Sequence, residues 1–161
     1  MIESPVTALL EKNEIAFDEI VIPLSEDKKP IRNLEELLSS QDRDPLSVVR
    51  SLVFKTPSDK FVLLAVAGGG KADWATLRKH LGERKLRMAE YDEVPEATNY
   101  VVGAVPPIAL PDEITVIVDS SIEHFDTVII GSGVLGYALS LRRTDLISLL
   151  TESEYGQFTK S

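Results

Sequence analysis

The chain has no cysteine and only two histidines, His80 and His124, in 161 residues. Without cysteine there is no disulfide framework, no thiolate metal site and no cysteine nucleophile. With two histidines far apart in sequence, no pair sits at the i, i+4 spacing that places two ligands on one helix face. Neither a metal nor a cofactor is expected. Long apolar runs are also missing, and Met1-Ile2-Glu3-Ser4-Pro5 lacks the basic start and apolar stretch of a targeting segment. The expectation is a soluble, cytoplasmic protein with no membrane partner. Positive charge is scarce too, since 17 Lys and Arg face 26 Asp and Glu for a net charge of -9. Such a chain offers no broad polyanion-binding surface, which argues against DNA as a partner.

The cations that are present cluster. Lys71, Arg78, Lys79, Arg84, Lys85 and Arg87 fall within a short stretch interrupted by Asp73 and Glu83. Two readings stay open: a solvated helix face, or a local RNA contact made by Lys71, Arg78 and Lys85. Apolar residues make up 43% of the chain, enough for a packed core. One domain over residues 1–161, with a polar tail at 152–161, is the expected organisation.

Ser4-Pro5 ahead of Val6, Leu9 and Leu10 predicts a first helix, and Ile15 to Ile22 a strand stopped by Pro23. Asn33 with Leu34, Leu37 and Leu38 predicts a second helix. Ser47 to Lys55 and Phe61 to Ala67 predict an antiparallel hairpin. Asp73 caps a helix carrying Trp74, Leu77 and Leu81, and Gly82 ends it. A further helix is expected at Ala89 to Ala97, interrupted by Pro95. Strands are expected at Tyr100 to Val105, Ile114 to Val118, Thr127 to Ile130 and Tyr137 to Leu141, with a closing helix from Thr144 to Leu150. Many strands with irregularly placed helices predict a mixed sheet or partly closed barrel with flanking helices.

Three glycine-rich stretches invite functional readings. Gly68-Gly69-Gly70-Lys71 lacks the hydroxyl residue after lysine that a phosphate loop uses to hold magnesium, so it reads as a flexible turn. Gly131-Ser132-Gly133-Val134-Leu135-Gly136 has dinucleotide-fingerprint spacing, but the extended Tyr137 to Leu141 follows where a helix is needed. It is also not the elbow of a serine hydrolase. Tyr100 to Pro107 ends in Gly103-Ala104-Val105-Pro106-Pro107, a turn whose backbone amides a ligand can approach closely. With a cation such as Lys55 beside it, that turn has the parts of an oxyanion hole.

The order of Val48-Val49-Arg50-Ser51-Leu52-Val53-Phe54-Lys55, Asp73, Leu77, Leu81-Gly82, Arg84-Lys85-Leu86-Arg87, Gly103 to Pro107, Asp119 and Gly133 to Gly136 resembles the YbaK-like aminoacyl-tRNA deacylases and prolyl-tRNA-synthetase-associated editing domains. The resemblance spans roughly residues 14 to 150. It implies a mixed α+β fold with a partly barrel-like sheet, and hydrolysis of the ester of mischarged tRNA carrying cysteine, alanine or serine. It also implies that Lys55 and Gly103 are catalytic, and that Ala104, Val105, Pro106, Pro107, Asp119, Ser132 and Gly133 bind substrate. Neither a metal nor a protein nucleophile is implied; an ordered water or the substrate's own hydroxyl assists. The implied partners are mischarged tRNA and an aminoacyl-tRNA synthetase or elongation factor. The chain departs from the family pattern in lacking a tyrosine near Val21-Ile22, and in carrying Asn99 and Ala104 where glycines are common. The alternative is a binding protein on the same fold, without hydrolysis, that recognises an amino acid, a nucleotide or a partner protein.

Overall fold

The computed structural model describes residues 2–160. Helix α1 (Pro5–Lys12) starts at Ser4, whose hydroxyl accepts from the Thr7 amide while the Thr7 hydroxyl accepts from the Ser4 amide. Strand β1 (Asp18–Val21) and helix α2 (Leu34–Ser40) follow, the latter capped by the Asn33 side chain. Pro45–Ser47 form a single tight 3-10 turn, so the next strand, β2 (Arg50–Lys55), starts three residues later than its apolar run. β2 pairs antiparallel with β3 (Phe61–Val66). Then come β4 (Lys71–Ala72), α3 (Trp74–Leu81), β5 (Arg87–Met88) and α4 (Glu93–Thr98). The chain continues through β6 (Thr115–Asp119), β7 (Thr127–Gly131), β8 (Tyr137–Arg142), α5 (Arg143–Ser148), β9 (Glu154–Gly156) and β10 (Thr159–Lys160).

The strands form an open mixed sheet, β5-β2-β3-β6-β9, an antiparallel sheet, β1-β8-β7, and a small ribbon, β10-β4. None closes into a barrel. The two larger sheets meet at one bridge, where the Val49 amide donates to the Ile129 carbonyl at 2.7 Å. Both faces of β3 are covered, which explains its unbroken apolar sequence. Leu63 and Ala65 pack with Val6, Leu10, Val128, Ile130 and Leu139 between the larger sheets. Leu64 and Val66 pack with Phe54, Ile117 and Leu77 of α3 on the other side. Burying a side chain such as Leu77 contributes about 1.5–3 kcal/mol.

Three expectations are corrected. Tyr100 to Val105 is not a strand. Asn99 and Gly103 both adopt positive φ, at 70° and 97°, and the Tyr100 hydroxyl donates to the Ala109 carbonyl at 2.6 Å, folding the segment back on itself. Pro95 does not interrupt α4; it is the third residue of that helix, in the first turn, where a missing N–H costs nothing. The polar tail is part of the fold. It supplies β9 and β10 and buries Phe158 beside α3.

Candidate functional site

The two larger sheets diverge from the Val49–Ile129 bridge, and the space between them is a cleft of about 480 Å³. β2 and the residues before it supply Val48 to Ser51 and Val53, β7 supplies Ile129 to Gly131, and β8 supplies Tyr137 and Ala138. Val94 of α4 and the loop residues Val102, Gly103 and Val105 complete the walls. The lining is predominantly apolar, with Arg50 as its one ionisable group besides two tyrosines among the described residues.

The loop is seated against β7 by glycine. A Cβ on Gly131 would lie 2.5 Å from the Val105 carbonyl oxygen, so only a glycine admits this contact. Ala104 is buried, its amide donating to Val101 and its carbonyl accepting from the Gly133 amide at 2.9 Å. Pro106 and Pro107 are buried and, as prolines, have no N–H to offer. Among the described residues the amides of Val102, Gly103 and Val105, all residues of the cleft wall, donate to no protein acceptor. They are available to a ligand's oxygen.

Arg50 stands at the rim, its Nη2 donating to the Gly70 carbonyl at 2.7 Å and to the Gly68 carbonyl at 3.4 Å. Among the described residues no carboxylate pairs with it. Its guanidinium carries five N–H donors and keeps its charge at any working pH, so donors remain for a ligand. Next to it, the Ser51 Oγ is buried and, among the described residues, has no hydrogen-bond partner. A buried hydroxyl without a partner is uncommon and costs stability.

Lys55 is not among the residues lining the cleft that Gly103 lines. Lys55 ends β2 at the opposite end from Arg50, roughly 17 Å away at about 3.3 Å per residue. Its ammonium binds the Glu93 carboxylate at 2.9 Å and Asp59 at 3.4 Å. The hydrogen bond to Glu93 is the main cause raising the Lys55 pKa above its ordinary value, against opposing desolvation. Glu93 in turn is held well below the usual carboxylate range, first by Arg87, then by the Glu90 amide and Lys55. Lys55 lines a second, basic groove with Thr56, Arg78, Arg84, Lys85 and Arg87.

The remaining expected site residues scatter. Asp119 is buried away from the cleft, its carboxylate accepting from the amides of Phe158 at 2.6 Å and Ser121 at 3.0 Å and from the Thr159 hydroxyl at 3.0 Å. It fastens the C-terminal strands. Ser132 is buried in its own turn, donating to the Val134 and Tyr137 carbonyls. Gly133 borders a different depression, beside Tyr100 and Pro111. Of the basic candidates, Arg78 and Lys85 share the groove with Lys55, while Lys71 sits in β4 opposite Lys160. Among the described residues no three His, Cys, Asp or Glu side chains converge on a metal position, and no helix is long and apolar enough to cross a membrane.

Arg50, Ser51 and Tyr91, which lines the cleft mouth, were missed by sequence reasoning. Arg50 was visible as the other cation of the same strand. Which end meets the second sheet depends on the bridge to Ile129, and local spacing carries no trace of that pairing.

The fold has known counterparts. A proline–tRNA ligase of Brachyspira hyodysenteriae is 28% identical over 116 residues, covering 72% of this chain and 19% of that protein. The uncharacterised protein YwhH of Bacillus subtilis is 32% identical over 99 residues, 62% of each chain. The chain thus spans about a fifth of the proline–tRNA ligase it matches. The crystal structure of a proposed trans-editing enzyme for prolyl-tRNA synthetase superimposes with a TM-score of 0.77 at 20% identity, covering 100% of both chains. The aminoacyl-tRNA editing domain profile matches residues 28–149, most of the sequence, and the chain belongs to that family.

Proposed function

We propose that the chain hydrolyses the aminoacyl ester of mischarged tRNA, with the cleft between the two larger sheets as the reaction site. One observation carries this reading. A single cleft combines unengaged loop amides and a permanent cation, on walls that are otherwise apolar.

Water adds to the ester carbonyl carbon, and the carbonyl oxygen becomes an oxyanion. The Gly103 and Val105 amides and Arg50 stabilise that charge as preorganised donors. The carbon–oxygen bond to the ribose then breaks and the water proton passes to the ribose oxygen, leaving a free amino acid and a free tRNA terminus. Arg50 stays protonated throughout and acts as a charge, not a base. Among the described residues no carboxylate or imidazole lines the cleft, so that proton is relayed to the leaving oxygen through the neighbouring ribose hydroxyl or a solvent water. An activated ester needs little more than position and charge stabilisation. The apolar walls fit small acyl groups such as alanine, cysteine or serine, which a synthetase pocket rejects by only about 1–3 kcal/mol per methylene. Within this reading Lys55 shapes the site through Glu93, and Asp119 and Ser132 hold the fold.

The absence of a base from the cleft lining favours one second reading, a binding protein that recognises the charged tRNA terminus without cleaving it. Deacylation of tRNAs charged with alanine, cysteine, serine or proline separates the two. Editing predicts selective release of one amino acid above the spontaneous rate. Binding of charged tRNA with no acceleration would leave the second reading.

A further inference from the structure

Three exposed apolar side chains gather at the mouth of the cleft. Tyr91 is 75% exposed, Met88 42% and Val102 39%, and all three line the same cavity. Single exposed apolar residues need no explanation, but a cluster on the rim of a cavity marks a binding surface. Tyr91 lies between β5 and α4, on the stretch of chain that also carries the basic groove. Arg87 lines that groove with Arg78, Arg84 and Lys85, and the next residue, Met88, lines the cleft. Among the described residues Arg78, Arg84 and Lys85 have no carboxylate partner. On a chain of net charge -9 this is a local attraction for an anion.

We propose that Tyr91 is a stacking platform for the 3′-terminal base of the RNA, with Arg84 and Lys85 holding the phosphates that precede it. The inference rests on the editing reading and adds how the ester is delivered. A phosphate-binding groove leading to an exposed aromatic ring is the combination by which proteins hold single-stranded nucleic acid, since every base offers a π face to stack. The base rests on Tyr91 outside the cavity, and the acyl group it carries reaches the Gly103 loop and Arg50 inside.

The test uses an uncharged tRNA minihelix whose terminal base is 2-aminopurine, a fluorophore quenched by stacking. The wild type and Tyr91→Phe quench it on binding. Tyr91→Ala leaves it bright and binds about 5- to 150-fold more weakly, the range that removing one base–aromatic stack produces. Because Tyr91 is exposed, the alanine variant melts at the wild-type temperature, which separates lost stacking from lost folding. Equal quenching by Tyr91→Ala, or none by the wild type, overturns the proposal. If the wild type quenches but hydrolyses no charged tRNA, the editing reading fails and the stacking site stands.

Discussion

Lys55 and Glu93 are joined by a 2.9 Å ion pair that ties the end of β2 to the first turn of α4. Arg87 of β5 grips the same carboxylate through two hydrogen bonds of 2.7 and 2.9 Å. The neighbouring residue on α4, Val94, lines the cleft, so the carboxylate sets the position of one wall. Lys55→Ala leaves Glu93 held by Arg87. It is expected to lower the melting temperature slightly and the deacylation rate less than tenfold, a positioning effect and not the loss of an oxyanion donor.

The same pair fixes a pH dependence. Glu93 has its folded pKa lowered, so its contribution to stability is complete above the ordinary value of 4.5 and is lost as pH falls through the folded value. Lys55 has its pKa raised, so its contribution is complete below 10.5 and is lost as pH rises through its folded value. Melting curves should show the wild type above Glu93→Gln by a constant margin near neutrality, with the margin narrowing below pH 4.5. A margin unchanged down to strongly acidic pH would contradict the assignment.

Asp119→Ala removes the acceptor for the Phe158 and Ser121 amides and the Thr159 hydroxyl. Hydrogen bonds to a charged group are worth about 1.5–3 kcal/mol each and do not simply add when they share one acceptor, so destabilisation of at least about 3 kcal/mol is expected. Limited proteolysis should cut residues 150–160 faster than in the wild type. A variant with wild-type melting and protease resistance but a lower kcat/KM would instead make Asp119 a substrate ligand.

The sequence made the elements legible where local chemistry decides them. The Ser4-Pro5 start, the Asp73 cap and Gly82 stop, and the continuous apolar run of Phe61 to Val66 all fall where expected. Long-range pairing decided the rest. Tyr100 to Val105 has the composition of a strand, but the hydroxyl bond from Tyr100 to Ala109 and two positive-φ residues turn it into the cleft loop. Arg50 and Lys55 are both cations at ends of one strand, and only the bridge of Val48 and Val49 to Ile129 determines which one meets the second sheet. Phe158, the apolar residue in an otherwise polar tail, was the available sign that the C-terminus packs.

Gly131→Ala places a methyl group against the Val105 carbonyl, a contact between backbones that cannot yield without moving the loop. A loss of about 1–3 kcal/mol is expected, with a fall in activity beyond what the stability change explains. Gly69→Ala, whose added Cβ would meet nothing within 4 Å, is the control and should leave melting nearly unchanged.

Ser51→Ala should raise stability. Removing a buried hydroxyl with no partner among the described residues relieves a cost of about 1 kcal/mol, so the protein melts higher. Lower stability would show that Ser51 Oγ has a structural partner.

The most direct test of the central claim is single-turnover deacylation of the preferred mischarged tRNA by the wild type, Arg50→Ala and Lys55→Ala, with melting temperatures alongside. Placing the chemistry in the cleft at the Arg50 end of β2 predicts a loss of about 10²- to 10³-fold for Arg50→Ala, the effect of removing an oxyanion-stabilising donor, in a protein that remains folded. Wild-type rates from Arg50→Ala, with the large loss in Lys55→Ala, would place the reaction at the other end of the strand and contradict the account.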